Sequence, residues 1–384
     1  MRVIYKSTLY YTDSDFPTVR ALQKRGIDVV YYISVNCFQL RAALVDIKKQ
    51  YPKAGILPAS VYKEFQPYKE YLDLSQVYVI NRTHKSKYHP STLLLYLKTF
   101  FHMRKQKCNA FHILNPLFSL EKIYYFLNLH IVLTLHDPFV HSGRGSKRGE
   151  KDRIISFKKA DKIVLLNKAQ KDEFMNFYKI PQSKITISKM GDFDYMDFIK
   201  PKSYKTERHY ILFFGLIAEY KGLEFLIQAM LKIHDQHPDV KLVVAGGGKI
   251  YFDMTPFKDL DYIEIHNHYV SVPELAGLLK GCTFSVCPYK DATQSGVIQT
   301  AFSLGVPMVV TNVGALPDAV KDGVTGLVVP PCDIDALAEA MNKLLDNPAL
   351  LADMHNNIET KWKQEMSWEP IADKYIECYK CYKS

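Results

Sequence analysis

The 384-residue chain lacks the sequence features typical of secreted proteins, of membrane-spanning proteins and of proteins stabilised by a structural metal ion. Its seven cysteines are odd in number and scattered, which argues against a disulfide framework. The single CxxC pair, Cys378 and Cys381, lacks the second ligand pair that a zinc site needs. The apolar run at 93–101 is interrupted by Lys98 and is far shorter than the roughly 20 residues that cross a bilayer. With no signal-peptide pattern at the start, we expect a cytoplasmic protein.

Acidic residues are scarce in the first half of the chain. Residues 1–200 carry 33 Lys and Arg against 17 Asp and Glu, whereas residues 201–384 carry 17 against 23. This asymmetry predicts two domains with different partners. No recognisable nucleic-acid-binding motif is present, which argues against a nucleic-acid partner. For the basic segment 88–107, whose apolar middle is followed by cations, two interpretations stay open. It forms either a helix at an anionic membrane surface or a core helix with a solvated basic end.

Short apolar runs alternate with helical patterns throughout, which predicts an α/β protein with buried parallel strands. The candidate strands are residues 2–7, 27–35, 77–81, 110–115, 130–137, 162–167, 184–189, 210–215, 240–246, 262–269, 284–289, 307–312 and 326–331. The length suits two Rossmann-like, doubly wound domains that face a cleft. A polar segment without clear periodicity sets the boundary near residue 200, which gives an N-terminal domain at 1–200 and a C-terminal domain at 201–384.

Two strand-to-helix turns in the second half have the chemistry of a phosphate site. FFGLIAEYKG (213–222) ends a strand in glycine and opens a helix after Lys221. TQSGVIQTAFSLGVP (293–307) places a Ser cap and Gly296 at a helix start, where free N–H groups attract anions. Each turn alone fits an ordinary capped helix or a solvated lysine. Together they favour a diphosphate pocket.

These motifs carry a resemblance to a known family. Residues 205–350 resemble the nucleotide-sugar domain of retaining GT-B glycosyltransferases of the large family 4 (glycosyl transferases group 1), in its TQSG-type subgroup. The matching segments include LVVAGGG, VSVPELAGLLKGC and SGVIQTAFSLGVPMVVTNVGALPDAV. The first half resembles the family more thinly, at 134–143, 162–174 and 184–192. The helix at about 368–382 resembles the terminal helix that crosses back to the N-terminal domain.

The resemblance implies transfer of a sugar, with retention, from a nucleoside diphosphate sugar to a hydroxyl of a glycan or lipid-linked acceptor. The donor would be a UDP- or GDP-sugar, and no cofactor is implied. The implied donor-binding residues are Gly215, Lys221, Thr293, Gln294, Ser295 and Gly296 for the diphosphate, Thr300 for the ribose, and Tyr269 and Val270 for the base. His136 and Lys221 are the implied catalytic residues, and Asp137 and His141 would face the acceptor.

The chain departs from the family pattern at two places. The family usually has glutamates where this chain has Ala292 and Thr300, and a basic residue at the position of Leu216 or Ala218. The pocket therefore keeps one of the usual two cations. Loss of a charged hydrogen bond typically costs about 1.5–3 kcal/mol, which weakens donor binding without excluding it. The alternative is a non-catalytic GT-B-fold partner subunit.

Three DxD triplets are present at 13–15, 192–194 and 333–335. Metal-dependent transferases use such triplets to hold a cation on the diphosphate. Here the first precedes the expected first helix, the second lies in the linker, and the third is expected to cap a helix. We therefore predict a metal-independent enzyme. It would be cytoplasmic, with a peripheral position on the inner face of the membrane as the alternative.

Overall fold

The computed structural model describes residues 1–42, 44–136, 138–139, 147–166, 168, 170–292 and 296–380. The chain divides into two compact units. The first unit contains residues 1–191 together with 367–384, and the second contains residues 192–366. The boundary predicted near residue 200 lies a little after this division.

Eight strands form the sheet of the first unit: β1 (Arg2–Thr8), β2 (Asp28–Asn36), β3 (Gly55–Pro58), β4 (Val77–Arg82), β5 (Ala110–Ile113), β6 (His130–Leu135), β7 (Lys162–Leu165) and β8 (Ile185–Ile187). Their order across the sheet is β3-β4-β2-β1-β5-β6-β7-β8. Neighbouring strands are parallel, except that β3 runs antiparallel to β4 at the edge. The sheet is thus doubly wound, as predicted.

Every strand predicted from the sequence is present, and β3 was missed. The sequence of β3, GILP, has only four residues and ends in Pro58. Proline has no N–H to donate, so it is tolerated at such an edge and gives no strand signal in the sequence. The predicted strands were recognisable because burial on both faces requires unbroken apolar runs.

Four helices of the first unit follow these strands: α1 (Thr12–Lys24), α2 (Pro90–Lys105), α3 (Lys147–Lys159) and α4 (Lys171–Tyr178). Helix α2 begins with proline at its first position, which costs no helical hydrogen bond. The His89 side chain accepts a hydrogen bond from the Ser91 N–H and caps the helix. Leu95, Phe100 and Met103 attach α2 to the core.

The second unit contains a six-stranded sheet of β9 (His209–Phe214), β10 (Val240–Ala245), β11 (Ile263–His266), β12 (Phe284–Cys287), β13 (Met308–Thr311) and β14 (Gly326–Val329). All neighbours are parallel, and the order is β11-β10-β9-β12-β13-β14. Its helices are α5 (Leu223–Ile233), α6 (Val272–Gly281), α7 (Gly296–Ser303), α8 (Leu316–Ala319), α9 (Ile334–Leu345), α10 (Pro348–Asn357) and α11 (Lys363–Glu365). The order reverses at β9, so ligands are expected beside the carboxyl ends of β9 and β12.

The last helix, α12 (Trp368–Lys380), belongs to the first unit and packs against α1. Its tryptophan lies so close to Gly191 that a Cβ there would be 2.5 Å from the indole ring. Arg25 of the α1 end forms an ion pair with Asp373 at 2.9 Å. Cys381 of the CxxC pair lies outside the described residues, and the buried Cys378 thiol donates to the Thr186 hydroxyl at 3.4 Å.

No helix within the described ranges combines the length and the apolar character that a membrane-crossing helix requires.

Candidate functional site

The turn after β9 depends on two glycines. Gly215 follows the strand with φ of +102°, and Gly222 precedes α5 with φ of +64°. L side chains rarely adopt this region. A Cβ on Gly222 would also lie 2.0 Å from the Pro288 carbonyl oxygen. The backbone path that brings Lys221 back beneath the strand end therefore requires glycine.

Lys221 is the central charge of this turn. Only 6% of the residue is exposed, and its Nζ donates a hydrogen bond to the Tyr289 hydroxyl at 2.8 Å. The ammonium also lies 4.8 Å from the centre of the Tyr289 ring. Burial lowers the pKa of Lys221, and nearby Cys287 opposes this shift. Within the described part of the chain no carboxylate pairs with Lys221, whose Nζ contacts the Tyr289 hydroxyl and lies 6.0 Å from the centre of the Tyr220 ring.

The end of β9, Lys221 and the first turn of α7 meet at one point. A Cβ on Gly215 would lie 3.2 Å from Lys221 Nζ and 3.5 Å from Val297 Cγ2. Helix α7 begins at Gly296, and the N–H groups of its first turn have no acceptor within the helix itself. Thr293, Gln294 and Ser295 were also predicted for this turn, and they lie outside the described residues.

Thr300 lies one turn into α7, and its side chain already makes one hydrogen bond within the helix. Its hydroxyl donates to the Gly296 carbonyl at 2.7 Å. The oxygen of Thr300 can therefore still accept a hydrogen bond, but its proton is already used.

Tyr269 and Val270 follow β11 and are half-buried. A Cβ on Gly247 would lie 3.6 Å from the Tyr269 nitrogen, so this segment borders the end of β10. It lies two strands from β9 in the sheet order.

His136 immediately follows β6 in the first unit and is half-buried. Its ring stacks on Tyr11 with centroids 4.5 Å apart and planes inclined by 21°. Tyr10, which is 61% exposed, meets Tyr11 edge-on at 5.1 Å. Asp137 and His141, predicted for the acceptor, lie outside the described residues.

Sequence reasoning missed Tyr10, Tyr11 and Tyr289. Each of them lies two or three residues beyond a strand end, after Thr8 of β1 or after Cys287 of β12. Position at the carboxyl edge of a parallel sheet was the available signal. Aromatic residues are too common in this chain for their identity alone to mark a site.

The first and third DxD triplets have structural roles. Asp333 caps α9 by accepting from the Ala336 N–H at 2.9 Å, which confirms the predicted cap. The expectation that the first triplet precedes the first helix is wrong, since α1 begins at Thr12. Asp15 points into the core, where it accepts hydrogen bonds from Tyr5 and Tyr31 at 3.0 and 2.7 Å. Burial raises the pKa of Asp15 to about 8, against the lowering effect of these hydroxyls.

Comparisons with known proteins find a family match in the second unit. Residues 208–347 match the family model described as glycosyl transferases group 1. This match lies entirely within the second unit, residues 192–366. An uncharacterized glycosyltransferase of Methanocaldococcus jannaschii is 28% identical over 236 residues, which are 57% of this chain and 59% of the relative.

A D-inositol 3-phosphate glycosyltransferase of an Arthrobacter species is 30% identical over 179 residues, 45% of this chain and 42% of the relative. The chain thus spans about half the length of these two relatives. Among solved structures, Anabaena HepE in complex with UDP superposes with a TM-score of 0.68 at 13% identity, over 98% of this chain and 99% of that one. The predicted fold, two Rossmann-like domains of the GT-B type, is confirmed.

Proposed function

We propose that the protein is a retaining glycosyltransferase of family 4, in its TQSG-type subgroup, that uses a nucleoside diphosphate sugar as donor. The observation that carries the proposal is the buried ammonium of Lys221, which has no carboxylate partner among the described residues. A buried charge is stable only when it is paired, so such a site favours an anionic ligand. A diphosphate supplies that anion at the sheet edge where the order reverses.

The donor would lie along the carboxyl edge of the second sheet. Its diphosphate would contact Gly215, Lys221 and the turn at 293–296, and no cofactor takes part. The ribose would reach the Thr300 oxygen, and the base would lie near Tyr269 and Val270. As the sugar leaves, charge grows on the diphosphate, and Lys221 and the α7 N-terminus would stabilise it.

The acceptor would bind at the carboxyl edge of the first sheet, on His136 together with Asp137 and His141. His136 would line the sugar site as a catalytic residue. Its stacking on Tyr11 supports this role, because a stacked ring keeps one orientation. The acceptor class is a glycan or lipid-linked hydroxyl.

Transfer is expected to be independent of metal ions. Asp15 and Asp333 of the first and third triplets are engaged by tyrosine hydroxyls and by a helix N–H, as described above. Turnover should survive excess EDTA. Activity that disappears with EDTA and returns with Mn²⁺ would contradict the diphosphate site as proposed.

Nucleotide binding tests the proposal directly. Calorimetry with UDP and with GDP should give saturable binding to the wild-type protein. Lys221→Met should weaken that binding, whereas Lys232→Met, on the exposed side of α5 in the same unit, should leave it unchanged. A non-catalytic partner subunit would bind neither nucleotide, and a panel of nucleotide sugars in a thermal-shift assay would then find no stabilising donor.

We also propose that the first unit docks on an anionic membrane surface through α2. The outward face of this helix exposes Leu93, Leu94, Leu97 and Phe101. Exposed Lys98, Arg104 and Lys105 lie on the same stripe, and residues 83–107 contain no acidic residue. Apolar side chains would insert between the lipids while the cations meet the headgroups. The protein would then act at the inner face of the membrane.

Co-sedimentation separates this docking from an ordinary solvated surface. The protein should pellet with vesicles that contain phosphatidylserine, less with neutral vesicles, and less again as salt rises. The double variant Leu94→Gln and Leu97→Gln should remain in the supernatant. Equal binding of wild type and variant, or no binding at low salt, would leave a soluble acceptor as the proposal.

A further inference from the structure

A cluster of two histidines and one glutamate lies at the edge of the second sheet. His266 ends the edge strand β11, His268 follows two residues later, and Glu274 belongs to the first turn of α6. One potential ligand atom from each of the three lies within 4.8 Å of the others. None of the three is among the residues proposed above for the donor or the acceptor.

The three side chains are already arranged as metal ligands would be. His268 Nε2 lies 3.1 Å from Glu274 Oε1. Two ligands on a tetrahedral zinc ion, bound at about 2.0–2.2 Å, stand roughly 3.4 Å apart. The pair therefore needs little movement to receive an ion, and all three residues retain access to solvent.

A second carboxylate holds one of the histidine rings. Glu264 Oε1 lies 2.6 Å from His266 Nε2 and so fixes the orientation of that ring. Glu264 is itself fixed through its other oxygen by Tyr204 at 2.7 Å and Lys241 at 2.5 Å. Carboxylates that orient a ligating histidine in this way are a regular feature of metal sites.

We propose that His266, His268 and Glu274 form a binding site for a borderline-soft divalent cation of the Zn²⁺ type. Two imidazoles and one carboxylate suit Zn²⁺, Ni²⁺ or Cu²⁺, whereas Mg²⁺ and Ca²⁺ require oxygen ligands. Three protein ligands leave a fourth position for water. The ion would link the end of β11 to α6 and so restrain Tyr269 and Val270 between them. The proposal for this site does not rest on the proposed transfer reaction.

Equilibrium dialysis of the full chain against Zn²⁺, after removal of metals with EDTA, tests the site. We expect about one Zn²⁺ per chain, lost in His268→Gln and in His266→Gln. Glu264→Gln should weaken binding by about tenfold or more, as loss of an orienting carboxylate typically does. The matched control is His209→Gln, an exposed histidine at the start of β9 in the same unit.

The absorption spectrum of the Co²⁺-loaded protein identifies the ligands. Histidine and carboxylate ligands should give visible bands without sulfur-to-metal charge transfer. Such a charge-transfer band would assign the ion to cysteines, of which Cys332 is exposed, and would overturn the proposal. Binding unchanged in His268→Gln and His266→Gln, or no binding by a wild-type protein whose melting transition is intact, would overturn it as well.

Discussion

Lys6 in the first unit and Lys221 in the second are the two lysines classed as buried among the described residues, with 5% and 6% exposed. Lys6 lies on β1 and forms an ion pair with Glu121 at 2.9 Å. Lys221 contacts the hydroxyl and the ring of Tyr289 where Lys6 contacts a carboxylate. Two equally buried ammonium groups thus differ in whether their charge is neutralised within their own unit.

The difference separates a structural charge from a binding charge. A buried ion pair is strongly destabilised when one partner is removed, because the other charge remains behind. An ammonium without a carboxylate partner has lost hydration free energy that no ion pair compensates. An incoming anion can offset this loss. Removing Lys6 should therefore harm the fold, and removing Lys221 should harm ligand binding.

The largest effect is expected for Lys6→Met. The free energy of unfolding of the first unit should fall by about 3 kcal/mol, because Glu121 is left largely buried and unpaired. Urea denaturation can be followed by Trp368 fluorescence in a Trp362→Phe background, since Trp368 belongs to the first unit and Trp362 to the second. The double variant Lys6→Met and Glu121→Gln should recover most of the loss. An unchanged urea midpoint in the single variant would contradict a structural role for Lys6.

Lys221→Met should reduce activity but not the free energy of unfolding. Sugar transfer should fall by at least about tenfold, because a charge-assisted contact to the diphosphate is lost. The free energy of unfolding of the ligand-free protein should stay the same or rise, because burial already disfavours this ammonium. Kinetics and urea denaturation on one preparation measure both quantities. Near-normal transfer would mean that the phosphates are held elsewhere, and a stability loss like that of Lys6→Met would make Lys221 structural.

The buried carboxyl of Asp15 should make the stability of the first unit depend on pH. The folded pKa of Asp15 is about 8, so between pH 4 and 8 the folded state holds a proton that the unfolded state has released. Stability should therefore fall as pH rises through this window, by about 1 kcal/mol from pH 5 to 6. Asp15→Asn should flatten that slope in thermal melts of the first unit. A parallel pH profile for the variant would show that Asp15 does not govern it.

The smallest effect concerns the surfaces of the two units. Lys98 lies within the outward apolar stripe of α2, whereas Lys232 on α5 forms an ion pair with Asp335. Lys98→Gln should weaken binding to anionic vesicles by about fivefold, since one cation near the membrane contributes about 1 kcal/mol. Lys232→Gln should change nothing in the same co-sedimentation assay. Equal effects of both variants would indicate a response to net charge alone.

Much of the candidate site was predictable, because the turn after β9 depends on residue type. Gly215 and Gly222 have positive φ, and Lys221 needs the path that they allow, so FFGLIAEYKG is recognisable in the sequence. The partner of Lys221 was not predictable, because Tyr289 lies 68 residues away, in the segment that follows β12. For α2, the sequence left a core helix and a membrane-surface helix open, and the structure shows one buried face and one exposed apolar face.

By itself, the sequence determined the alternation of buried strands and helices, the glycine-dependent turn of the second unit and the basic character of the first. Each of these depends on local chemistry, that is, on apolar periodicity, on positive φ and on composition. Only the tertiary structure decided which buried lysine is neutralised, which aromatic ring stacks on His136, and that His266, His268 and Glu274 converge. Those relations join residues from separate strands and helices, and the strand order of each sheet, which local sequence does not encode, brings them together.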